Sequence, residues 1–218
     1  MMKFNPKILR VYLVGGTQDV DNDPERFLHD VEIALQAGVT AFQYREKDGS
    51  QLNRAATLKM ASLLRELTHQ YHVPYFIDDD EELALQVGAD GVHVGQKDQR
   101  IETVIQRAGG QLMIGYSCNT TDEIAKANQL PEVDYVGVGP VFPTSSKADA
   151  DPALGLSELT RLNTVSHHPV VAIGGISHAN LAATLKAGVA GVAVISMILG
   201  SSDITGTVKK MCAAYEKN

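Results

Sequence analysis

The chain has 218 residues, 44% hydrophobic and 21% charged, which is ordinary for a folded globular protein and excludes a disordered chain or a coiled coil. Lys and Arg total 19 against 26 Asp and Glu, a net charge of −7 that argues against nucleic acid as a partner yet leaves room for a small anion in a local basic pocket. No stretch approaches the ~18 consecutive apolar residues of a membrane span, and residues 1–10 lack an apolar run behind a basic start, so no membrane partner and no secretion signal are expected. Cys118 and Cys212 have no metal-type spacing and fit a reducing, cytoplasmic setting as inert side chains.

Strand-like runs bounded by turn residues lie near 8–14, 39–45, 74–78, 90–94, 112–116, 133–139, 169–173 and 190–195. Between the first two, Pro24 suits a first helical turn, and Phe27, Val31 and Ala34 form an apolar stripe over 24–37. Between the second and third, Leu52, Ala56, Met60, Leu63 and Leu67 mark a helix over 51–70. Three segments are alike: QAGVTAFQ at 36–43, QVGADGVH at 86–93 and KAGVAGVA at 186–193. Each reads as a helix end, a glycine and an apolar strand, with Gly38, Gly88 and Gly188 placed where the chain turns left-handed. The starts at 36, 86 and 186 fit a repeat of strand–helix units about 25 residues long. Strands alternating with helices imply parallel pairing through right-handed crossovers. Eight such units over 1–218 predict a single (β/α)8 barrel domain, about 27 residues per unit. A doubly wound open sheet is the alternative, weakened by the lack of G-x-G-x-x-G after the first strand.

A barrel places its chemistry on the loops after the strands, and the unusual residues of this chain fall there. Gln43, Arg45 and Lys47 share one face of the second strand if Phe42 and Tyr44 face the helices, and two cations with an amide suit an anion such as a diphosphate. Five acids, 78–82, follow the third strand; Asp80 reads as a helix cap, with Glu81 and Glu82 favoured by the helix dipole. Asp79 and Asp98 would come from adjacent strand ends and could share a Mg²⁺ with diphosphate oxygens. His93 reads as a barrel-filling side chain or a substrate contact, and Ser117 as a contact or the start of a turn. The loop after the sixth strand, 139–147, holds two prolines, Thr144, Ser145, Ser146 and Lys147, a set suited to oxyanions. Gly174-Gly175 after the seventh strand and Ile195-Ser196 after the eighth occupy the usual phosphate site of such barrels. No Ser–His–Asp order, G-x-S-x-G or H-E-x-x-H is present, so a reaction needing leaving-group stabilisation is favoured over general-base chemistry.

The motifs QYREK at 43–47, DD at 78–79, ADGVHVGQKD at 89–98, GYS at 115–117, GPVFPTSSKAD at 139–149, AIGGI at 172–176 and VIS at 194–196 resemble, in order, those of the thiamine-phosphate synthase family. The resemblance implies a transferase that joins hydroxymethylpyrimidine diphosphate to hydroxyethylthiazole phosphate and releases pyrophosphate. The bond to the diphosphate would break first, giving a carbocation that the thiazole nitrogen captures. It implies that Gln43, Arg45, Lys47, Ser117 and Lys147 hold the pyrimidine diphosphate, with Arg45, Lys47, Ser117 and Lys147 serving catalysis. Tyr44, Glu46, Asp78 and His93 are expected as further substrate contacts. Asp79 and Asp98 would hold Mg²⁺, and Thr144, Ser145, Ser146, Gly175, Ile195 and Ser196 the thiazole phosphate. Asp78 stands where the family usually has Asn, and Ser146 where it usually has Thr. A carboxylate at 78 must be neutralised near a diphosphate, either as an extra metal or water-mediated ligand or by pairing with Arg45 or Lys47. A sister thiazole tautomerase and a non-catalytic phosphate-binding regulator are the rival readings. A homo-oligomer is compatible with the sequence.

Overall fold

Asn5 accepts a hydrogen bond from Lys7 N at 3.0 Å and caps a turn of 3-10 helix over Pro6–Leu9, so the first strand begins at Val11 rather than at residue 8. The computed structural model describes residues 4–47, 49–96, 100–144, 146 and 152–216. Its strands are β1 (Val11–Gly15), β2 (Ala41–Tyr44), β3 (Tyr75–Asp78), β4 (Gly91–Val94), β5 (Met113–Ser117), β6 (Tyr135–Val138), β7 (Val170–Ile173) and β8 (Gly191–Val194). Each pairs in parallel with its neighbours in sequence, and β8 returns to β1, which closes the barrel and excludes the open sheet. Closure leaves no exposed sheet edge.

The helices form the outer layer: α1 (Pro24–Ala37), α2 (Arg54–Gln70), α3 (Glu81–Val87), α4 (Ile101–Ala108), α5 (Thr121–Ala127), α6 (Gly155–Val165), α7 (Leu181–Leu185), α8 (Ser196–Leu199) and α9 (Ile204–Glu216). α1 spans the predicted residues, because the Asp23 carboxylate accepts from Glu25 N and Arg26 N and Pro24 fits the first turn. Gly38 and Gly88 end α1 and α3 at φ 113° and 66°, and Gly188 follows α7 at 81°, the expected left-handed conformation. In α2, capped by Asn53, the buried residues are Met60, Ala61, Leu64 and Thr68, whereas Leu63 is 37% exposed. The predicted stripe is therefore corrected at that point. Adjacent leucines at 63 and 64 satisfy two phases of the helical period, and packing against the sheet selects Leu64.

Along each strand, alternate side chains go to two apolar layers. Leu13, Phe42, Tyr75, Ile77, Val92 and Val136 pack outward against the helices. Tyr12, Val14, Ala41, Phe76, Met113, Tyr135, Val171 and Ala193 fill the barrel. Each fully buried Leu, Ile or Phe stabilises by about 1.5–3 kcal/mol relative to an exposed one. The large inward rings fit only because glycine stands beside them. A Cβ on Gly91 would lie 2.4 Å from the Phe76 ring, and one on Gly115 would lie 2.3 Å from the ring of Tyr135. Among the described residues no helix is long and apolar enough to cross a membrane.

Candidate functional site

The inward side chains at the C-terminal ends of the strands surround a cavity of about 330 Å³. Strand alternation sends Gln43 and Arg45 into this mouth, with Lys47 beyond them, as the parity of the second strand predicts. Asp78 comes from the end of β3, His93 from β4 and Ser117 from β5.

On the charged side, Arg45 is buried, and its Nε lies 3.5 Å from Asp78 Oδ2. Lys47 Nζ is 3.4 Å from the same oxygen and also contacts the Asp79 carboxylate. Among the described residues the two cations thus face two carboxylates. Asp78 lies in ion-pair reach of both cations, one of the two roles the sequence left open to it. Asp79 has φ 58°, a left-handed conformation; its N–H donates to His93 O at 2.8 Å, and its Oδ1 accepts from Gly95 N at 3.4 Å. The first bond ties the backbone of Asp79 to β4, and the second ties its carboxylate to the segment just after that strand. The rest of the acidic run is structural. Asp80 accepts from Leu83 N at 2.8 Å to cap α3, and Glu81, fully buried, pairs with Arg107 of α4 at 2.5 Å.

The floor of the cavity is a hydrogen-bonded chain across the barrel. Gln43 Nε2 donates to Tyr12 OH at 3.0 Å, and Tyr12 OH lies 2.9 Å from Tyr135 OH. Tyr135 OH is 3.1 Å from His93 Nδ1, and His93 Nε2 is 3.0 Å from Ser117 Oγ. Burial holds the Tyr12 and Tyr135 phenols well above their ordinary range, so both keep their protons. His93 therefore both fills the barrel and meets the cavity wall.

The opposite side is neutral. Gly174 and Gly175, at φ 94° and 65°, pack under the loop after β6, and a Cβ on Gly175 would lie 2.5 Å from Pro143 O. Asn180 braces this turn: its Nδ2 donates to Gly175 O at 3.0 Å, and its Oδ1 accepts from Ser177 N at 2.7 Å. Thr144, Ser146, Gly175, Ile195 and Ser196 all line the cavity, and Ser196 opens α8. The first N–H groups of a helix have no partner within it, which suits an oxyanion.

Two expected contacts are corrected. Tyr44 points outward, its ring centroid 6.2 Å from that of Phe27, because it has the opposite strand parity to Gln43 and Arg45. Glu46 turns to the loop after β1, where its carboxylate accepts from Thr17 N at 3.2 Å, from Thr17 Oγ1 and from Ser50 Oγ. Ser145, Lys147 and Asp98 lie outside the described residues. Among the described residues no cluster of three or more His, Cys, Asp or Glu could hold a metal. Sequence reasoning missed Tyr12 and Tyr135, whose signal is a hydroxyl at an inward strand position. It also missed Asn119, which lines the cavity and accepts from Gly139 N at 3.0 Å through Oδ1. The loop after β1 was missed as well. Gln18 Nε2 donates to Arg45 O at 2.8 Å, and a Cβ on Gly16 would lie 2.1 Å from that oxygen.

Comparison with known proteins adds an independent finding. A family model described as thiamine monophosphate synthase matches residues 11–198. The chain is 58% identical to a thiamine-phosphate synthase of Limosilactobacillus fermentum, covering 98% of this chain and 100% of that protein. It is 53% identical to one of Limosilactobacillus reuteri, covering 99% and 100%. Among solved structures it is similar to a thiamine phosphate pyrophosphorylase from Pyrococcus furiosus, with 33% identity, a TM-score of 0.84 and coverage of 97% of this chain and 98% of that one.

Proposed function

The chain belongs to the thiamine monophosphate synthase family, and on that premise we propose that it joins hydroxymethylpyrimidine diphosphate to hydroxyethylthiazole phosphate and releases pyrophosphate. The observation that carries this reading is the meeting of two unlike groups of side chains, one charged and one neutral, in one cavity. One is the charged group of Arg45, Lys47 and Asp78; the other is the neutral wall of Thr144, Ser146, Gly175 and Ser196. In the proposed reaction Arg45 and Lys47 contact the diphosphate, where negative charge grows as the carbon–oxygen bond breaks. Ser117 donates to the same substrate, and the neutral wall holds the thiazole phosphate so that its ring nitrogen faces the carbon left behind. Such proximity replaces a bimolecular encounter. Lys147 is assigned to the diphosphate and Ser145 to the thiazole phosphate from the motif alone.

Arg45 and Lys47 are already balanced by Asp78 and Asp79, so a diphosphate entering the mouth brings negative charge that the described side chains do not neutralise. This fits a divalent cation bound through hard carboxylate oxygens. Asp79 is suited to hold it, with Asp98 as the second carboxylate assigned from the motif alone, and a bound Mg²⁺ would supply charge neutralisation to the leaving diphosphate. We place the enzyme in the cytoplasm, in keeping with its two free cysteines. The deciding experiment supplies both substrates and Mg²⁺ to the purified protein and follows thiamine phosphate and pyrophosphate. Stoichiometric formation of both is expected. Absence of product with every divalent metal tried would overturn the reading.

A further inference from the structure

The chain of hydrogen bonds on the cavity floor has a direction. The Gln43 amide donates to Tyr12 through Nε2, so the Tyr12 oxygen is an acceptor there. The Tyr12 hydroxyl hydrogen must then go elsewhere, and the oxygen within reach is that of Tyr135, at 2.9 Å. Tyr135, having accepted, gives its own hydrogen to His93 Nδ1 at 3.1 Å. An Nδ1 that accepts leaves the proton of neutral His93 on Nε2, which donates to Ser117 Oγ at 3.0 Å. Ser117 therefore turns its own hydrogen away from His93. In the reverse direction the Tyr12 hydrogen would be buried in the barrel without an acceptor among the described residues, since Tyr12 is 1% exposed.

We propose that the Tyr12–Tyr135 hydroxyl pair is a positioning device. It fixes His93 as the Nε2–H tautomer, and so presents Ser117 to the cavity as a hydrogen-bond donor and the Gln43 carbonyl as an acceptor. The device rests on the proposed function for its use: the donor at Ser117 serves an oxygen of the diphosphate substrate, and the acceptor at Gln43 serves an amino group on the same molecule. Neither tyrosine needs to touch the reacting atoms. Their effect passes through His93 at one end and Gln43 at the other.

The test separates the two ends. In protein labelled with ¹⁵N-histidine, with His93 assigned by the signals lost in His93→Gln, the wild type is expected to show a protonated Nε2 and an unprotonated Nδ1 at pH values where the ring is neutral. Tyr135→Phe removes the donor to Nδ1, so both tautomers should appear, and the KM for the pyrimidine diphosphate should rise about tenfold, as for one hydrogen bond to a charged group. The KM for the thiazole phosphate should stay within about twofold. Tyr12→Phe leaves Tyr135 donating to His93, so it should raise the same KM without changing the tautomer. A merely structural role would move both substrates alike. A wild-type His93 with its proton on Nδ1 overturns the proposal, as does a Tyr135→Phe protein with unchanged tautomer and unchanged KM. The tautomer is read without substrate, so it stands even if no thiamine phosphate is formed, an outcome that would sink the proposed reaction instead. If a tyrosine variant does not fold, the wild-type spectrum with the His93→Gln assignment still decides the tautomer.

Discussion

Asp78 Oδ2 and Arg45 Nε lie 3.5 Å apart across neighbouring strands, with side-chain exposures of only 10% and 9%. The pair puts a negative charge beside the proposed diphosphate site and at the same time cancels it. A carboxylate ~4 Å from a phosphate charge repels it by about 1–4 kcal/mol as the effective dielectric falls from ~80 to ~20. Replacing Asp78 with the isosteric Asn removes that charge and one of the carboxylates that Arg45 and Lys47 face. We expect Asp78→Asn to lower the KM for the pyrimidine diphosphate by about three- to tenfold. The Mg²⁺ concentration for half-maximal rate should not move. A titration of rate against Mg²⁺ for both proteins checks this; a midpoint displaced upward makes Asp78 a metal ligand.

Asp79 offers a cleaner probe of the metal. Its φ of 58° is one that Asn also tolerates, so Asp79→Asn changes charge with little backbone cost. The variant should lose activity by about 100-fold or more, with partial recovery at high Mg²⁺, since a charged oxygen ligand is replaced by a weaker neutral one. Asp98→Asn should behave in the same way. Wild-type turnover with an unchanged Mg²⁺ response in either variant removes that residue from the metal site.

Gly115 tests the packing beneath the chemistry. An added Cβ would lie 2.3 Å from the Tyr135 ring and 2.4 Å from His93 Nδ1. Overpacking of this kind costs about 1–3 kcal/mol. Gly115→Ala should lower the urea midpoint without altering the slope of the transition, and raise the KM for the pyrimidine diphosphate in parallel. Equal stability of the two proteins would mean that the barrel interior has slack at this layer.

Cys118 gives a pH-dependent signature. Burial pushes its thiol up to about 12, from an ordinary value of 9.0, with the Glu123 carboxylate adding to the rise. The native protein should therefore resist thiol reagents at Cys118 at pH 7–9, and labelling should follow unfolding. The folded state keeps this proton through the window in which the unfolded chain releases it. The contribution of Cys118 to stability is thus complete below about pH 9 and falls as pH climbs toward 12. Mass spectrometry of labelled peptides, with and without denaturant, measures the first effect; rapid native labelling of Cys118 would contradict it.

The barrel was legible because each unit is local: an apolar run, a capped helix and a turning glycine recur in order, as in Gly38, Gly88 and Gly188. Boundaries were less so. The start of β1 depends on the cap that Asn5 forms, and the face of α2 depends on which of Leu63 and Leu64 the sheet accepts. In the site, strand parity placed Gln43 and Arg45 in the mouth, and the same parity takes Tyr44 out of it. The tie of Glu46 to Thr17 links residues 29 positions apart, which no local pattern encodes. Tyr12 and Tyr135 are separated by 123 positions, and each alone reads as an ordinary strand aromatic. Their meaning arises only when closure brings β1 and β6 across the same interior.

The loop after β1 leans on β2 at one atom, the carbonyl oxygen of Arg45, through the bare backbone of Gly16 and the amide of Gln18. The aim of the buried guanidinium is therefore inherited from a neighbouring segment. Residues there, outside the cavity wall, steer a side chain proposed to contact the diphosphate. A side chain introduced at Gly16 would act as a shim: it would displace the second strand's end and retune the proposed diphosphate site while every residue in the mouth keeps its identity. Substrate preference in this barrel can thus drift through positions that a map of ligand contacts would leave blank.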